Sequence, residues 1–279
     1  MRKLASRRTL VFANQKGGTG KSTSCGAFAE GLTRRGYKCI VIDLDPQGNL
    51  SFTMGADTFN TPCADSLLAP DLGKLSDNEL RAWIQHPAYV DMIASGSITD
   101  DANALEARAK EIATDTAGGP WRLDDVLSEA LGDAYDFLLI DTPPNMDALT
   151  VNALAMADDV IIPCDMDVQS AKGFDVFLKY LRRFQKRMNR RLRIAGVLIN
   201  QYRYCVISAR DFLEGMQAKC AYEGVKLFRS TIRSTDVVKR AHESGIGVYE
   251  AVAAKGGSAR IDIDFDGAID EYLSDLESL

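Results

Sequence analysis

Residues 16–23 read Lys16-Gly17-Gly18-Thr19-Gly20-Lys21-Ser22-Thr23. An apolar run from Thr9 to Ala13 precedes this stretch and predicts a strand, and Cys25 to Leu32 after it predicts a helix. A strand, a glycine-rich loop and a helix in this order are the context of a phosphate-binding loop. The glycines let backbone N–H groups approach phosphate oxygens, and the helix N-terminus favours an anion. We expect Lys21 to reach the β- and γ-phosphates and the Ser22 hydroxyl to bind Mg²⁺.

Two further apolar runs end in acidic residues. Lys38 to Asp45 is typical of a buried parallel strand with Asp43 and Asp45 at its carboxyl end, and Tyr135 to Asp141 repeats the pattern. Ligands of open α/β sheets bind at the carboxyl ends of the strands, so these acids should lie beside the phosphate loop. An apolar strand that ends in an aspartate is the Walker B arrangement, in which the carboxylate holds Mg²⁺, usually through water. Asp141 is the candidate for this role.

Lys16 stands five residues before Lys21, at the start of the loop. With this second lysine, the stretch closely resembles the deviant Walker A motif of the ParA/MinD group of ATPases. The segment from Ile42 to Ser51 and the sequence Asp141-Thr142-Pro143-Pro144 also resemble motifs of that group. The resemblance covers roughly residues 9–273 and is closest to the small ParA type, which lacks an N-terminal DNA-reading domain.

The resemblance implies roles for individual residues. Lys16 would cross a dimer interface to the ATP of the partner subunit, and Asp45 would orient or activate the attacking water. Asp43 would lie near the Mg²⁺ shell, and Asn200 would contact the adenine edge. The expected catalytic residues are therefore Lys16, Lys21 and Asp45. The expected metal-binding residues are Ser22, Asp43 and Asp141, and the nucleotide-binding residues are Gly17, Gly18, Thr19, Gly20, Lys21, Ser22, Thr23 and Asn200.

Apolar strand patterns alternate with helical patterns along the whole chain. This predicts an α/β fold with a doubly wound, mostly parallel sheet and helices on both faces, as in P-loop NTPases of the deviant Walker A type. We expect a single P-loop ATPase domain over residues 1–279, with a basic tail at 1–8 and a variable helical region at 55–125. Val225 to Arg233 predicts a further strand and loop.

Composition excludes several classes of protein. There is no apolar run near 18 residues and no signal-peptide core, which predicts a cytoplasmic protein without a membrane partner. The six cysteines are scattered without a CxxC pair, so we expect reduced thiols, mostly in the core, and no disulfide or metal framework.

Charge is unevenly distributed. The chain has a net charge of −6, but residues 179–193 hold eight basic and no acidic residues, which leaves −14 for the rest. Such a basic stripe is a candidate surface for DNA. The position of a DNA-binding arginine of the family is Val237 here, and the usual Ile-Pro before it is Ile232-Arg233. The candidate DNA-binding residues are Arg182, Arg183, Lys186, Arg187, Arg233, Lys239 and Arg240.

These features predict an ATP-dependent dimerisation switch that needs ATP and Mg²⁺. The homodimer would bind non-specific DNA and become nucleoid-associated, and a ParB-like or other adaptor protein would stimulate hydrolysis. The outcome would be partition of a plasmid or chromosome, or positioning of another cargo.

Three alternatives remain. A MinD-like membrane ATPase needs a basic amphipathic C-terminal helix, whereas Asp262 to Leu279 is acidic and lacks lysine and arginine. A dethiobiotin-synthetase-like biosynthetic enzyme would need a small-molecule pocket in residues 55–125 but not Lys16. A module that holds ATP and rarely cleaves it would not need the set of Lys21, Asp45 and Asp141.

Overall fold

The computed structural model describes residues 4, 6–58, 61–69, 72, 75–87, 89–96, 98–99, 102–115, 119–204, 207–254 and 260–279. Its strands are β1 (Arg8–Phe12), β2 (Cys39–Asp43), β3 (Asp91–Ile93), β4 (Ile98–Thr99), β5 (Ala102–Asn103), β6 (Phe137–Asp141), β7 (Asp159–Cys164) and β8 (Arg193–Ile199). Its helices are α1 (Lys21–Arg34), α2 (Asn49–Met54), α3 (Ala64–Leu67), α4 (Asp77–Trp83), α5 (Ala104–Thr114), α6 (Arg122–Leu131), α7 (Ala148–Met156), α8 (Val168–Arg187), α9 (Ile207–Glu223), α10 (Asp236–Ser244), α11 (Val248–Ala254) and α12 (Ile261–Glu277).

Six strands form one sheet in the order β3-β2-β6-β1-β7-β8, and every pair in it is parallel. The prediction of a doubly wound, mostly parallel sheet is confirmed. All six carboxyl ends therefore meet at one edge, here called the carboxyl edge, and the opposite edge is the amino edge. The registers pair Asp141 with Asp43 on one side and with Phe12 on the other, so the acids end beside the phosphate loop.

The two faces of the sheet carry separate hydrophobic layers. Along β1, Leu10 and Phe12 pack with α1 and α10–α12, whereas Val11 packs on the opposite face with α3–α9. This alternation follows from the two-residue period of a strand, and burial on both faces explains the continuous apolar runs in the sequence. The sheet is thus covered by an apolar layer on each face.

A buried carboxylate ties the amino edge together. Asp159 of β7 is fully buried and accepts hydrogen bonds from Arg8 Nη2 (2.8 Å), Arg193 Nε (2.6 Å) and the Tyr272 hydroxyl (2.8 Å). Burial and the Asp159 charge raise the pKa of Tyr272 well above its ordinary value. Arg193, although part of the basic stripe, is therefore a structural residue that joins β8 to β7.

The strand predicted between Val225 and Arg233 does not form. The segment makes only isolated parallel bridges, Val197 with Leu227 and Tyr202 with Arg233. The carboxylate of Glu271 accepts the backbone N–H groups of Arg229 and Ser230 (2.9 Å each), which draws them away from β8. The segment has the apolar pattern of a strand, but its contact with Glu271, distant in sequence, interrupts the hydrogen bonds that it would make to β8.

The region 55–125 is mixed rather than helical throughout, since it contains β3, the short hairpin of β4 and β5, and helices α3, α4 and α5. Five cysteines are free and buried, and burial raises the pKa of the Cys39 thiol to about 12, so it is unreactive. Cys205 lies outside the described residues. Within the part of the chain that the structure describes, no helix is both long and apolar enough to cross a membrane.

Candidate functional site

The phosphate loop joins β1 to α1 at the carboxyl edge. Gly20, the residue before α1, has φ 85°, and Gly18 has φ 75°, both in the left-handed region that glycine tolerates best. A Cβ atom at Gly20 would lie 2.6 Å from Asn200 Nδ2, too close for any side chain without a shift. A residue other than glycine at position 20 would therefore strain the loop and displace the Asn200 side chain.

Two amides after β8 hold the loop from outside. Asn200 Nδ2 donates to the Thr19 carbonyl (2.9 Å) and to Ser24 Oγ (3.0 Å), and Gln201 Nε2 donates to the Gly18 carbonyl (2.6 Å). Gln201 adopts a φ of 55°, which is uncommon for a residue with a side chain. The Oδ1 atom of Asn200 is buried without a hydrogen-bond partner, so an acceptor is available beside the loop.

The two lysines of the loop have different surroundings. Lys21 is almost completely buried, and its Nζ atom donates to the Lys16 carbonyl (3.2 Å). Burial lowers the pKa of Lys21, and the Asp141 and Asp45 carboxylates only partly oppose this. Lys16 Nζ instead lies 2.8 Å from carboxylate oxygens of both Asp165 and Asp167. Partial burial lowers the pKa of Lys16, but these hydrogen bonds raise it overall.

Asp141 is a fully buried acid whose charge acts on Lys21, the first residue of α1. Both of its carboxylate oxygens are buried and without a hydrogen-bond partner. Burial, and then the charge of Asp43, raises the pKa of Asp141 well above its ordinary value, and the positive charge of Lys21 opposes this only in part. A buried carboxylate without partners is costly unless a cation or a hydrogen-bond donor joins it.

Asp43 is fully buried, and both of its carboxylate oxygens accept hydrogen bonds. Its Oδ1 atom accepts the Asp45 N–H (3.0 Å), and its Oδ2 atom accepts both the N–H (2.9 Å) and the hydroxyl (2.7 Å) of Ser51. Burial raises its pKa to about 6, although these hydrogen bonds act in the opposite direction. Asp43 thus shapes the loop that carries Asp45, and its place near a metal remains a prediction.

Asp45 lies on that loop and faces the phosphate loop. Its Oδ1 atom accepts the Gln47 N–H (3.0 Å), and its carbonyl accepts the Ser95 hydroxyl (2.6 Å). Burial raises its pKa, while the nearby Lys21 lowers it. The Asp45 side chain is therefore fixed in direction. It lies close to Lys21, and so close to the position that a phosphate would occupy.

The chemistry of these groups fits Mg²⁺. Mg²⁺ in nucleotide sites is typically held by one or two protein oxygens, phosphate oxygens and waters, and not by a cage of side chains. Ser22 stands in the first turn of α1, close to the buried Asp141 carboxylate. Ser22 and Asp141 are the residues that would hold the ion.

One cavity of about 670 Å³ unites most of the predicted site. Gly17, Gly18, Gly20, Lys21, Ser22, Thr23, Asp45 and Asn200 line it. Asp43, Asp141 and Thr19 are buried beneath it, and Lys16 lies apart with Asp165 and Asp167. A cavity of about 1070 Å³ opens at the amino edge, but none of the predicted site residues lines it.

Sequence reasoning missed part of this cavity. No motif in the sequence includes His242, yet it lines the cavity and its Nε2 atom lies 3.4 Å from Thr23 Oγ1. Burial lowers the pKa of His242. The same wall of the cavity includes Thr235, the residue before α10, and one face of α10 itself. The residues of that face, Val238, Lys239 and His242, recur at helical spacing. The sequence shows this spacing, but it does not show that this face of α10 points into the nucleotide cavity.

The candidate DNA-binding residues do not form one surface. Arg233 and Lys239 line the cavity at the carboxyl edge, and Arg240 is exposed on α10. The other candidates lie on α8, which runs from the carboxyl edge to the amino edge over about 30 Å. Arg182 pairs with Glu223, and Arg193 with Asp159. Within residues 179–193, the exposed basic side chains are those of Lys179, Arg183, Lys186, Arg187, Arg190 and Arg191.

A family model matches most of the sheet. Residues 7–194 match AAA_31, described as an AAA domain. The chain is 32% identical to the chromosome-partitioning ATPase Soj of Treponema pallidum over 257 residues, which cover 88% of this chain and 92% of that protein. It is also 32% identical to the chromosome partitioning protein ParA of Caulobacter vibrioides over 200 residues, 70% of each chain.

The fold has similar solved structures. The crystal structure of cobyrinic acid a,c-diamide synthase from Mycobacterium smegmatis with a bound ATP analog and magnesium aligns with a TM-score of 0.80 and 26% identity. That alignment covers 98% of this chain and 96% of the other.

Proposed function

Because the chain belongs to the AAA_31 family and to its ParA-type ATPases, we propose that it acts as an ATP-dependent dimerisation switch on DNA. The protein is an ATPase that uses Mg²⁺. In the proposed cycle, ATP joins two copies, the dimer binds DNA without sequence preference, and hydrolysis separates the copies. The observation that carries the proposal is Lys16, whose ammonium lies outside its own phosphate loop, on Asp165 and Asp167.

Within one subunit, the residues divide the work of phosphoryl transfer. Lys21 exchanges the Lys16 carbonyl for a phosphate oxygen, and the loop N–H groups hold the same phosphates. Ser22 and Asp141 would hold Mg²⁺, which would supply positive charge beside the phosphates. Asp45 accepts a hydrogen bond from the attacking water and aligns it with the γ-phosphorus. Because Asp43 and Ser95 fix the Asp45 loop, this alignment costs little further ordering.

The proposed dimer places Lys16 on the nucleotide of the facing copy. An ammonium that reaches the γ-phosphate from the partner would stabilise the charge that develops in the transition state. Lys16 leaves Asp165 and Asp167 only if stronger anions replace them, and a triphosphate supplies these. Hydrolysis then depends on dimerisation, which is the property of a switch.

DNA binding is proposed for the exposed part of the basic stripe, the side chains of Lys179, Arg183, Lys186, Arg187, Arg190 and Arg191. These residues lie toward the amino edge, away from Lys16, so the stripes of two subunits would not merge at the nucleotide interface. The dimer would instead offer two separate basic faces to one duplex. Tethering of two weak sites raises affinity without a new contact, so ATP would switch DNA binding through avidity.

The names of the relatives point to chromosome partitioning as the process. In that setting we propose that the protein carries a plasmid, a chromosome or another cargo, and that a ParB-like or other adaptor accelerates hydrolysis.

Binding to random-sequence duplex DNA with Mg²⁺ and ATP, ADP or no nucleotide, at two salt concentrations, tests the switch. We expect binding that requires ATP, weakens steeply with salt and is lost in Lys16→Ala. A Lys16→Ala protein that keeps full ATP hydrolysis and forms no dimer would contradict the proposal. That result would favour a monomeric enzyme, such as a biosynthetic one.

A further inference from the structure

Arg233 is held in place at the mouth of the nucleotide cavity. Its Nε and Nη2 atoms donate to the two carboxylate oxygens of Asp264 (2.6 and 2.7 Å), and its backbone N–H donates to the same carboxylate (3.0 Å). Its guanidinium carbon lies over the ring of Tyr204, 5.5 Å from the ring centre. A bidentate pair and an aromatic contact together fix both the position and the plane of a guanidinium.

This arrangement argues against Arg233 as a DNA contact. Its charge is already neutralised by Asp264, whose side chain is nearly buried. The pair uses the Nε–Nη2 edge of the guanidinium, and the side chain lines the cavity next to Ile232 and Ser234. What it presents to a ligand is a fixed planar surface rather than an unpaired charge.

The lining of the cavity has two chemically different parts. The phosphate loop and Lys21 form a polar part, which is rich in N–H donors and positive charge. Apolar side chains from three segments form the other part, namely Ile232, Val238, Ile261 and Phe265. Apolar walls and a planar cation are suited to a flat aromatic ring, because a guanidinium attracts the face of a π-system.

Asn200 adds a polar group to the lining, beside the phosphate loop. Its Nδ2 atom is committed to the phosphate loop, and its Oδ1 atom is buried without a partner. An unpaired buried acceptor favours a ligand that brings an N–H donor and disfavours one that brings a carbonyl. The 6-amino group of adenine is such a donor.

We propose that Arg233 is a nucleobase-binding residue, which packs its guanidinium against the purine ring while Asp264 and Tyr204 hold it in position. The inference rests on ATP binding in this cavity and not on the DNA part of the proposed function. It assigns Arg233 to substrate recognition, in contrast to the basic side chains of α8.

The test is calorimetric titration of the full-length protein with two ligands, Mg²⁺ with a non-hydrolysable ATP analogue, and tripolyphosphate. Tripolyphosphate offers the same phosphates without a base. We expect Arg233→Ala to weaken binding of the ATP analogue by about three- to thirtyfold, the range of a partly desolvated cation–π contact, and to leave tripolyphosphate binding unchanged. Arg240→Ala is the matched control, because it removes an exposed arginine of α10 outside the cavity.

A second variant separates the planar group from its charge. Arg233→Lys keeps a cation beside Asp264 but removes the guanidinium plane, so it should bind the ATP analogue nearly as weakly as Arg233→Ala. Equal losses for both ligands, or full recovery in Arg233→Lys, would show an effect of charge alone and overturn the proposal. Unchanged nucleotide affinity together with weaker DNA binding would return Arg233 to the DNA surface. A wild type that binds no DNA leaves these titrations fully interpretable.

Discussion

Lys16 Nζ lies 2.8 Å from a carboxylate oxygen of Asp165, and Asp167 approaches the same ammonium at 2.8 Å. The two acids follow β7, so the lysine at the start of the phosphate loop is held by its own subunit. In the proposed switch, these contacts compete with the partner's nucleotide. They set part of the free energy that dimerisation must overcome.

Removal of one of these acids should favour the dimer. In Asp167→Asn, Lys16 loses one ionic partner, and because the pair is partly exposed the gain is less than about 1 kcal/mol, or up to about fivefold in the dimerisation constant. Sedimentation equilibrium with a non-hydrolysable ATP analogue measures this. Asp175→Asn is the matched control, since it breaks the Lys219–Asp175 pair between α8 and α9 and leaves both acidic partners of Lys16 in place. Equal dimerisation constants for wild type and Asp167→Asn would show that the clamp does not oppose association.

Asp141→Asn should abolish Mg²⁺-dependent hydrolysis and yet stabilise the nucleotide-free protein as pH rises. The folded protein holds a proton on Asp141 above the pH at which the unfolded chain releases it, because the folded pKa is raised. Wild-type stability therefore falls with rising pH, by about 1.4 kcal/mol per pH unit, from the ordinary carboxyl pKa up to the raised one. The variant lacks this term.

Urea unfolding of both proteins without nucleotide, at pH 5 and pH 7, gives the comparison. The stability of Asp141→Asn relative to wild type should increase between the two values. A constant difference would mean that the Asp141 carboxylate is not destabilised by its burial.

Asp159→Ala should cost about 3 kcal/mol of unfolding free energy, the usual effect of removing one partner from a buried ion pair. Arg8, Arg193 and the Tyr272 hydroxyl would all lose their acceptor. Thermal and urea unfolding measure the loss. Nucleotide affinity of the folded fraction should be unchanged, because Asp159 lies at the amino edge, and a large fall in that affinity would contradict the structural role.

The basic stripe should divide into structural and DNA-binding residues. Arg183→Ala should leave stability unchanged and reduce the salt dependence of DNA binding by about one unit of slope. Arg193→Ala should instead lower stability, because Arg193 belongs to the Asp159 cluster. Fluorescence anisotropy over a series of salt concentrations, with unfolding curves for each variant, measures both. A full slope in Arg183→Ala would remove that residue from the DNA surface.

The sequence predicted the strands and the phosphate loop because their signals are local. The apolar runs that end in Asp43 and Asp141 predicted both the buried strands and the sheet edge at which the two acids meet. The parallel register, which pairs Asp43 with Asp141, confirms this. The strand predicted at Val225 was wrong because the segment donates backbone hydrogen bonds to Glu271, which lies on a helix some 40 residues away.

The remainder of the site depends on contacts between segments far apart in the chain. Asp165 and Asp167 come directly after β7, but only the folded structure shows that they contact Lys16. The contact between His242 and Thr23 could not be predicted because the two residues lie more than 200 positions apart in the sequence. Charge patterning likewise grouped Arg182 and Arg193 with the exposed cations, since it cannot register the acids that pair with them.

The most direct test of the central claim is ATP hydrolysis by a mixture of two inactive variants. Lys16→Ala keeps a complete site of its own but cannot donate its lysine, whereas Asp45→Ala lacks the residue that aligns water but keeps Lys16. If Lys16 acts on the partner's ATP, mixed dimers contain one complete site, and the mixture should hydrolyse ATP well above the sum of the two variants alone. If the mixture is no more active than that sum, Lys16 acts within its own subunit, and the dimerisation switch is contradicted.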